Sequence, residues 1–180
     1  MKKARFRPFA LLAMIGLLVG CATFGQESSW NPRDQNVRQD HQEHLKVLGA
    51  QIDGKTPGAL VLATAEQMLQ KGVVVVGSCW DYLNAVYLRV GFTDARLVRI
   101  FSKPFEGPFA DIALIQKGDW IMYQNLSFGG IDHSAIFVAW VDFDRSRALT
   151  ISYVGQNRNV PGRLFEYDLS RTYRVLRPRL

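Results

Sequence analysis

Cysteine is the residue that this chain uses least, with two among 180 residues, and histidine follows with three. His41 and His44 lie three positions apart, but no cysteine or third histidine accompanies them in the sequence. Protein zinc sites normally need three or four such ligands, so this pair is more typical of a solvated helix start. The sequence therefore predicts no metal ion and no cofactor.

The net charge is also small when residues 1–20 are left out of the count. Four of the 22 Lys and Arg residues lie in residues 1–20, and none of the 16 Asp and Glu residues does, which leaves 18 basic against 16 acidic residues and a net charge of +2. The remaining chain has no basic stripe with interleaved aromatic residues. We therefore expect no nucleic acid as a partner.

No apolar run reaches the roughly 20 residues that a membrane-spanning helix needs. The longest run, residues 9–20, has 12 residues and follows a short basic segment. A basic segment followed by a short apolar one is typical of a secretory signal peptide. We therefore assign residues 1–20 to a signal that the mature protein lacks.

The signal ends in Leu18-Val19-Gly20-Cys21, which resembles the lipobox of bacterial lipoproteins. The resemblance implies that Cys21 is acylated and becomes the new N-terminus, so that its lipid attaches the protein to a membrane. Ala22, in place of an aspartate, resembles lipoproteins that are sent to the outer membrane. The expected location is the cell envelope, at the periplasmic face of that membrane.

The rest of the chain divides into a tether and one domain. Residues 21–55 are polar and poor in aliphatic side chains before Leu45, which predicts a lipidated N-terminus followed by a flexible tether. Residues 56–180 are long enough and apolar enough to form a single folded domain. If Cys21 is acylated, Cys79 has no disulfide partner in an oxidising compartment, where a free thiol is either buried or used.

Cys79 is predicted to lie in the first turn of a helix. Four valines, residues 73–76, favour a short buried extended segment, and a Gly-Ser pair ends it. Ser78 is a good N-cap, Asp81 follows it three residues later, and Gly91 is a natural C-terminal stop. A helix N-terminus favours the thiolate, which is the nucleophilic form of cysteine. The alternative is an inert cysteine that packs as a small hydrophobic residue.

The order of the predicted elements indicates an α+β domain. Helices are predicted from Thr56 to Gly72, from Cys79 to Val90 and over residues 95–101. Strands are predicted over residues 119–123, 135–141, 148–154, 164–167 and 173–176. Helices followed by strands predict N-terminal helices packed on a small antiparallel sheet of about five strands.

His133 is the only histidine in the strand half of the chain, so it is the candidate base for a cysteine nucleophile. Alternation along its strand puts His133, Ala135 and Phe137 on one face. Because Ala135 is small, we expect the end of a neighbouring helix to lie beside the histidine. The alternative is an ordinary surface histidine at a strand end.

Three short blocks follow one another along the chain: Gly77-Ser78-Cys79-Trp80-Asp81-Tyr82 opening a helix, Lys117-Gly118-Asp119-Trp120 beginning a strand, and Asp132-His133-Ser134-Ala135-Ile136-Phe137 beginning the next. This order resembles the NlpC family of cell-wall cysteine peptidases, within the papain-like superfamily, and also the related CHAP amidases. The resemblance extends over about residues 59–176.

The resemblance implies a small papain-like fold of the NlpC type and a cysteine peptidase or amidase activity. Cys79 would be the nucleophile and His133 the base, and the enzyme would hydrolyse an amide bond in peptidoglycan stem peptides as a monomer. Trp80 and Tyr82 flank the thiol and are expected to contact substrate. Trp80 also stands where the family usually has a small residue.

The family also has a third polar residue, on the strand after the histidine strand, which orients the base. Gln156 is the preferred candidate here, because its amide oxygen can accept the imidazole N–H. Ser152 and Asn157 are the other candidates, and Gln156 with Asn157 fits an ordinary turn equally well.

Two other functions compete with the peptidase. The same fold could serve as a non-catalytic envelope lipoprotein that binds the cell wall or acts as a scaffold. The same cysteine and histidine could also carry out acyl transfer or thioester hydrolysis.

Overall fold

The computed structural model describes residues 35–180, and the predicted signal, the lipidation site at Cys21 and the first part of the tether lie outside that range. Three helices precede six strands: α1 Gln35–Gln51, α2 Pro57–Gln70, α3 Cys79–Val90, β1 Leu97–Ser102, β2 Trp120–Asn125, β3 Ile131–Asp142, β4 Arg147–Ser152, β5 Arg163–Asp168 and β6 Thr172–Pro178. The domain is α+β, as the order of the sequence elements predicts. Within residues 35–180 no helix combines the length and the apolar character needed to cross a bilayer.

The two predicted helices α2 and α3 are confirmed, and both begin at the predicted caps. Thr56 accepts a hydrogen bond from the Ala59 N–H at 3.2 Å, and Pro57 follows it as the first helical residue. Ser78 precedes α3, and Gly91 ends it with φ of +88°, a left-handed conformation that glycine adopts without a steric cost.

Helix α1 corrects the prediction of a flexible tether over residues 21–55. Its residues 35–51 are helical, and Leu48 is fully buried in the main core. The His44 imidazole also lies 3.2 Å from the Glu166 carboxylate on β5. Because α1 contributes few apolar side chains, its sequence resembles a solvated segment, and tertiary contacts at one face hold it on the domain.

The sheet has six antiparallel strands in the order β1-β6-β2-β3-β4-β5, so the prediction of about five strands missed one. The missed strand is β1, where the sequence predicts a helix over residues 95–101. That prediction is wrong: a single 3-10 turn, Asp94–Arg96, leads directly into the strand. β1 pairs with β6, which lies about 80 residues further along the chain, and local patterns contain no signal for such a distant partner.

Two hydrophobic clusters mark the two faces of the sheet. One contains Ile136 and Val138 of β3 together with the buried side chains of α1, α2 and α3. The other contains Ala135 and Phe137 and no residue of the three helices. The predicted alternation of β3 is therefore confirmed, but the helices cover the face opposite to Ala135, so this residue does not leave room for a helix end.

Helix α3 is fixed to the start of β2 by Tyr87. Its hydroxyl donates to the Gly118 carbonyl at 2.7 Å, and its ring stacks on Trp120 with centroids 5.3 Å apart. Burial raises the pKa of Tyr87 well above its usual value, so the hydroxyl keeps its proton and remains a donor. The contact sets the position of α3, and with it Cys79, over the sheet.

Candidate active site

The thiol of Cys79 lies at the first residue of α3, where a small polar cap fixes the backbone. The Ser78 N–H and the Ser78 hydroxyl both donate to the Asp81 carboxylate, at 2.7 and 2.9 Å. These bonds lower the pKa of Asp81, so the cap keeps its charge. Cys79 is half-buried and free, and the N–H of a first-turn residue has no carbonyl partner within its own helix.

The segment before the cap, residues 73–78, is not the buried segment that the sequence predicts. It forms no strand, and its side chains alternate: Val73 and Val75 are half-buried, whereas Val74 is 41% and Val76 83% exposed. The four valines lie at the domain surface and pair with none of the described strands, so only one side of the segment is covered. The Tyr153 hydroxyl donates to the Val75 carbonyl at 2.7 Å and holds this segment in place.

Gln156 anchors the same segment. Its side-chain oxygen accepts the Gly77 N–H at 2.8 Å, and its backbone N–H donates to the Gly77 carbonyl at 2.9 Å. The oxygen that was expected to orient His133 therefore binds the backbone two residues before the thiol, and the Gln156 side chain is exposed. Gly77 has φ of +119°, and a Cβ there would lie 2.2 Å from the Asp81 carboxylate, so only glycine fits between the two contacts.

His133 lies buried at the start of β3, with its ring edge-on to two tyrosines. The ring centroids lie 5.7 Å from Tyr123 and 5.6 Å from Tyr167. Burial, helped by the positive charge of Arg163, lowers the pKa of His133 to about 4, so the imidazole is neutral at pH 7. Its Nε2 has no hydrogen-bond partner among the described residues. A neutral imidazole with an unused nitrogen is able to accept a proton.

Cys79 and His133 line one cleft of about 260 Å³. The other lining residues come from the cap, from α3 and from three neighbouring strands: Ser78, Trp80, Met122, Asp132, Ser134 and Tyr173. The hydrogen bonds within residues 35–180 include none between the Cys79 thiol and His133. The structure thus places both residues in the lining of one cleft, while the His133 ring packs against Tyr123 and Tyr167, which belong to the cluster on the sheet face without helices.

The two predicted substrate-binding residues have different positions. Trp80 is 47% exposed, lines the cleft and leans on Trp120, with ring centroids 5.6 Å apart. Tyr82 is fully buried, stacks on Tyr153 at 4.7 Å and does not line the cleft, unlike Trp80. Side chains three or four positions apart lie on the same face of a helix, whereas Trp80 and Tyr82 are two positions apart, about 200° around the axis, which separates cleft from core.

The other candidates for the third residue do not contact His133 through a hydrogen bond in the described part of the chain. Ser152 is buried, and its hydroxyl lies 3.5 Å from the Tyr167 hydroxyl. Asn157 lies exposed in the 3-10 turn Gln156–Arg158. The described groups that pack against the imidazole are the Tyr123 and Tyr167 rings.

Sequence reasoning missed two polar residues of the cleft, Asp132 and Tyr173. The Tyr173 hydroxyl donates to the Asp132 carboxylate at 2.7 Å. Asp132 could have been found because it adjoins His133, whereas Tyr173 lies on the last strand and has no local motif. Among residues 35–180 no group of three His, Cys, Asp or Glu side chains is placed to hold a metal ion.

No family model matches this chain, and comparison with curated proteins and with solved structures gave no match either.

If Cys79 is the nucleophile of a hydrolase, Gln156→Ala is expected to lower the rate of hydrolysis about 10- to 100-fold, because a lost positioning contact near a reactive group typically has that effect. Gln156→Glu keeps an acceptor oxygen for the Gly77 N–H, so it is expected to retain most of the activity. Kinetics with one synthetic stem peptide measure the rates, and amide exchange at Gly77 measures the anchor. An unchanged rate in Gln156→Ala would show that the Gly77 anchor does not support the activity.

Protonation of His133 is expected to destabilise the fold. Its pKa is about 4 when folded and about 6.5 when unfolded, so the stabilisation is complete above pH 6.5 and is lost as the pH falls towards 4. At pH 5 the expected loss is about 2 kcal/mol. Urea unfolding at pH 7.5 and pH 5 should show this extra loss in the wild type and not in His133→Gln. Equal losses in both proteins would show that the buried imidazole does not resist protonation.

Proposed function

We propose that this chain is a cysteine peptidase or amidase that hydrolyses an amide bond in peptidoglycan stem peptides. The observation that carries the proposal is the shared cleft: a free thiol at a helix N-terminus and a buried, neutral histidine line the same cavity. Nucleophilic catalysis by cysteine needs a sulfur and a base at the same site.

In the proposed reaction the Cys79 sulfur attacks the amide carbonyl, and His133 accepts the thiol proton. The negative charge that develops on the carbonyl oxygen is stabilised by the unpaired backbone N–H of Cys79. His133 then passes the proton to the leaving amine, and water hydrolyses the thioester to release the acid. Catalytic hydrogen bonds often tighten only when substrate is bound, so the absence of a direct thiol–imidazole bond is compatible with this role.

The finer description of the fold, papain-like and of the NlpC type, forms part of the same proposal. It is supported by the order of the three blocks along the chain, with the cysteine helix before the sheet and the histidine at the start of a central strand. The cell-wall substrate follows from that resemblance, and from the predicted lipoprotein signal, which would place the domain in the cell envelope as a monomer.

A non-catalytic wall-binding or scaffold protein is the second candidate function. Two observations favour it: no hydrogen bond joins Cys79 to His133 within residues 35–180, and the bulky Trp80 stands beside the thiol in the cleft. A thiol-reactive probe separates the two candidates. Stoichiometric, rapid labelling of Cys79 at neutral pH supports the enzyme, and labelling as slow as that of a free thiol supports the scaffold.

Digestion of purified peptidoglycan tests the proposal most directly. The wild type should release fragments whose masses identify one cleaved amide bond, and Cys79→Ala, prepared in the same way, should release none. Identical fragment patterns from both proteins, or intact peptidoglycan after treatment with the wild type, would contradict the hydrolase.

Lipid attachment at Cys21 is a separate part of the proposal. We expect Cys21→Ser to release the protein from membranes, because the lipid is the proposed anchor and dual acylation is what makes such anchoring stable. Cell fractionation with detection of the protein in soluble and membrane fractions measures the effect. A variant that remains in the outer-membrane fraction would exclude the lipobox as the means of attachment.

A further inference from the structure

The sheet edge formed by β1 and β6 carries basic side chains and no acidic ones. Seven of the 17 Lys and Arg residues within residues 35–180, and none of the 14 Asp and Glu residues, lie in residues 96–103 and 171–179, here called the basic edge. The two segments lie about 70 residues apart in the sequence, and the pairing of β1 with β6 brings them together. The rest of the range has ten basic against 14 acidic residues, so a net negative remainder accompanies a positive edge.

Most charges of the basic edge have no partner of opposite sign. Arg177 is the exception, since it binds the Asp119 carboxylate at 2.9 and 2.8 Å. The other six form no ion pair within residues 35–180, and all of them except the half-buried Arg174 are exposed: Arg96, Arg99, Lys103, Arg171 and Arg179. Neighbouring strands lie about 5 Å apart, which is less than the screening length of about 8 Å at physiological salt, so the potentials of these charges add.

Charged side chains on an edge strand also prevent pairing with the sheet of another molecule. That protection does not need a single sign of charge, and the opposite edge of this sheet has both signs. β4 and β5 carry two arginines together with Glu166 and Asp168, and Arg147 binds Glu166. The basic edge instead carries the repulsion of like charges, which an anionic partner would relieve.

The apolar side chains of the edge indicate which kind of anionic partner fits. Among residues 96–103 and 171–180, the exposed large apolar side chains are Val98 and Leu180, at 38% and 75%. Both are aliphatic, so these residues offer no exposed aromatic ring on which nucleic-acid bases would stack. Basic side chains beside exposed aliphatic ones suit the head-group region of an anionic membrane, where charge attraction and shallow apolar burial act together.

We propose that the basic edge docks on a membrane leaflet that contains anionic phospholipids, as a contact additional to the lipid at Cys21. The lipid phosphates would bind the exposed guanidinium and ammonium groups through charge-assisted hydrogen bonds. Such attraction is reversible and screened by salt, so it orients an anchored domain without replacing the lipid, and Cys21→Ser is still expected in the soluble fraction. The contact needs neither the hydrolase nor the acylation, so each of these proposals can fail alone.

Vesicle sedimentation of the mature chain, residues 21–180 with Cys21→Ser, measures the contact without the attached lipid. The vesicles consist of phosphatidylcholine, alone or with about one-third phosphatidylglycerol, which supplies the negative surface charge. Binding should require the anionic lipid and should weaken strongly at high salt. The triple variant Arg96→Gln, Arg99→Gln, Lys103→Gln should bind at least about 10-fold more weakly, because each basic residue near an anionic surface adds to the attraction.

The matched control is the triple variant Lys46→Gln, Lys55→Gln, Lys71→Gln, which loses the same charge from exposed residues outside the basic edge. It should bind nearly as the wild type does, and thermal unfolding should show that both variants are folded.

Equal losses in the two variants, equal binding to both kinds of vesicle, or wild-type binding that is insensitive to salt would overturn the membrane contact. The last two measurements use the wild-type edge and decide the question even if the edge variant does not fold. Tighter binding to a single-stranded oligonucleotide than to the anionic vesicles would also overturn it, and would assign the basic edge to nucleic acid instead.

Discussion

Replacing Cys79 by alanine is expected to reduce hydrolysis of a stem peptide at least about 10⁴-fold, because the sulfur forms and breaks the covalent bond in the proposed reaction. The fold should survive, since Cys79 is only half-buried and its side chain makes no hydrogen bond within residues 35–180. Thermal unfolding and peptide kinetics on the same preparation measure both quantities.

Cys79→Ser is the companion variant, because it keeps the size of the side chain and replaces the sulfur by a weaker nucleophile. It should also be inactive, and its melting temperature should equal that of the wild type. Full activity in Cys79→Ala would exclude the nucleophile. Loss of activity together with a large fall in melting temperature would instead indicate an inert cysteine that contributes to packing.

His133→Ala is expected to be as severe as Cys79→Ala, because without a base the thiol proton has no acceptor and the leaving amine no donor. Since the two residues act as a unit, the double variant should be scarcely slower than either single one. Kinetics with one stem peptide on all three proteins measure this. A rate that is insensitive to His133 would exclude the papain-like mechanism.

Because His133 also packs against Tyr123 and Tyr167, its alanine variant could lose activity through a disturbed core. His133→Gln fills more of the space and retains a polar group without the imidazole nitrogen that moves the proton. If the base is essential, His133→Gln is inactive while near-native in melting temperature at pH 7.5. An active glutamine variant would mean that His133 contributes packing alone.

Much of the candidate site could be predicted because its determinants are local. The Ser78 and Asp81 cap, the Gly91 stop and the position of Cys79 between them depend on residues within a few positions of one another. The alternation of β3 was predictable for the same reason, because successive side chains on a strand point to opposite faces. Such patterns identify which residues carry chemistry.

The errors concern contacts between distant parts of the chain. β1 is a strand because it pairs with β6, and α1 is held in place because Leu48 is buried in the main core. Gln156 lies one strand over from His133, as expected, but the turn after β4 directs its amide to Gly77. Which face of the sheet the helices cover was likewise open, because both faces of β3 are apolar.

The contact between Asp132 and Tyr173 in the cleft likewise depends on residues that are distant in sequence. Asp132 stands beside His133 in the sequence, but an acidic residue at a strand start indicates nothing until Tyr173, 41 positions further along the chain, is known to donate to it. Asp119 is the converse case. It stands in a block that resembles a peptidase family, yet it is buried and bound by Arg177, at 2.9 and 2.8 Å, so its role is to join β2 to β6.

The position of β6 affects the order in which the sheet forms. β6 is the last of the strands within residues 35–180, yet it lies between β1 and β2 and pairs with both. Its pairing with β1 closes a loop of about 80 residues, and contacts between such distant positions form slowly because of their closure entropy. Within residues 35–180, β1 pairs only with β6, so this edge of the sheet is expected to form late in folding.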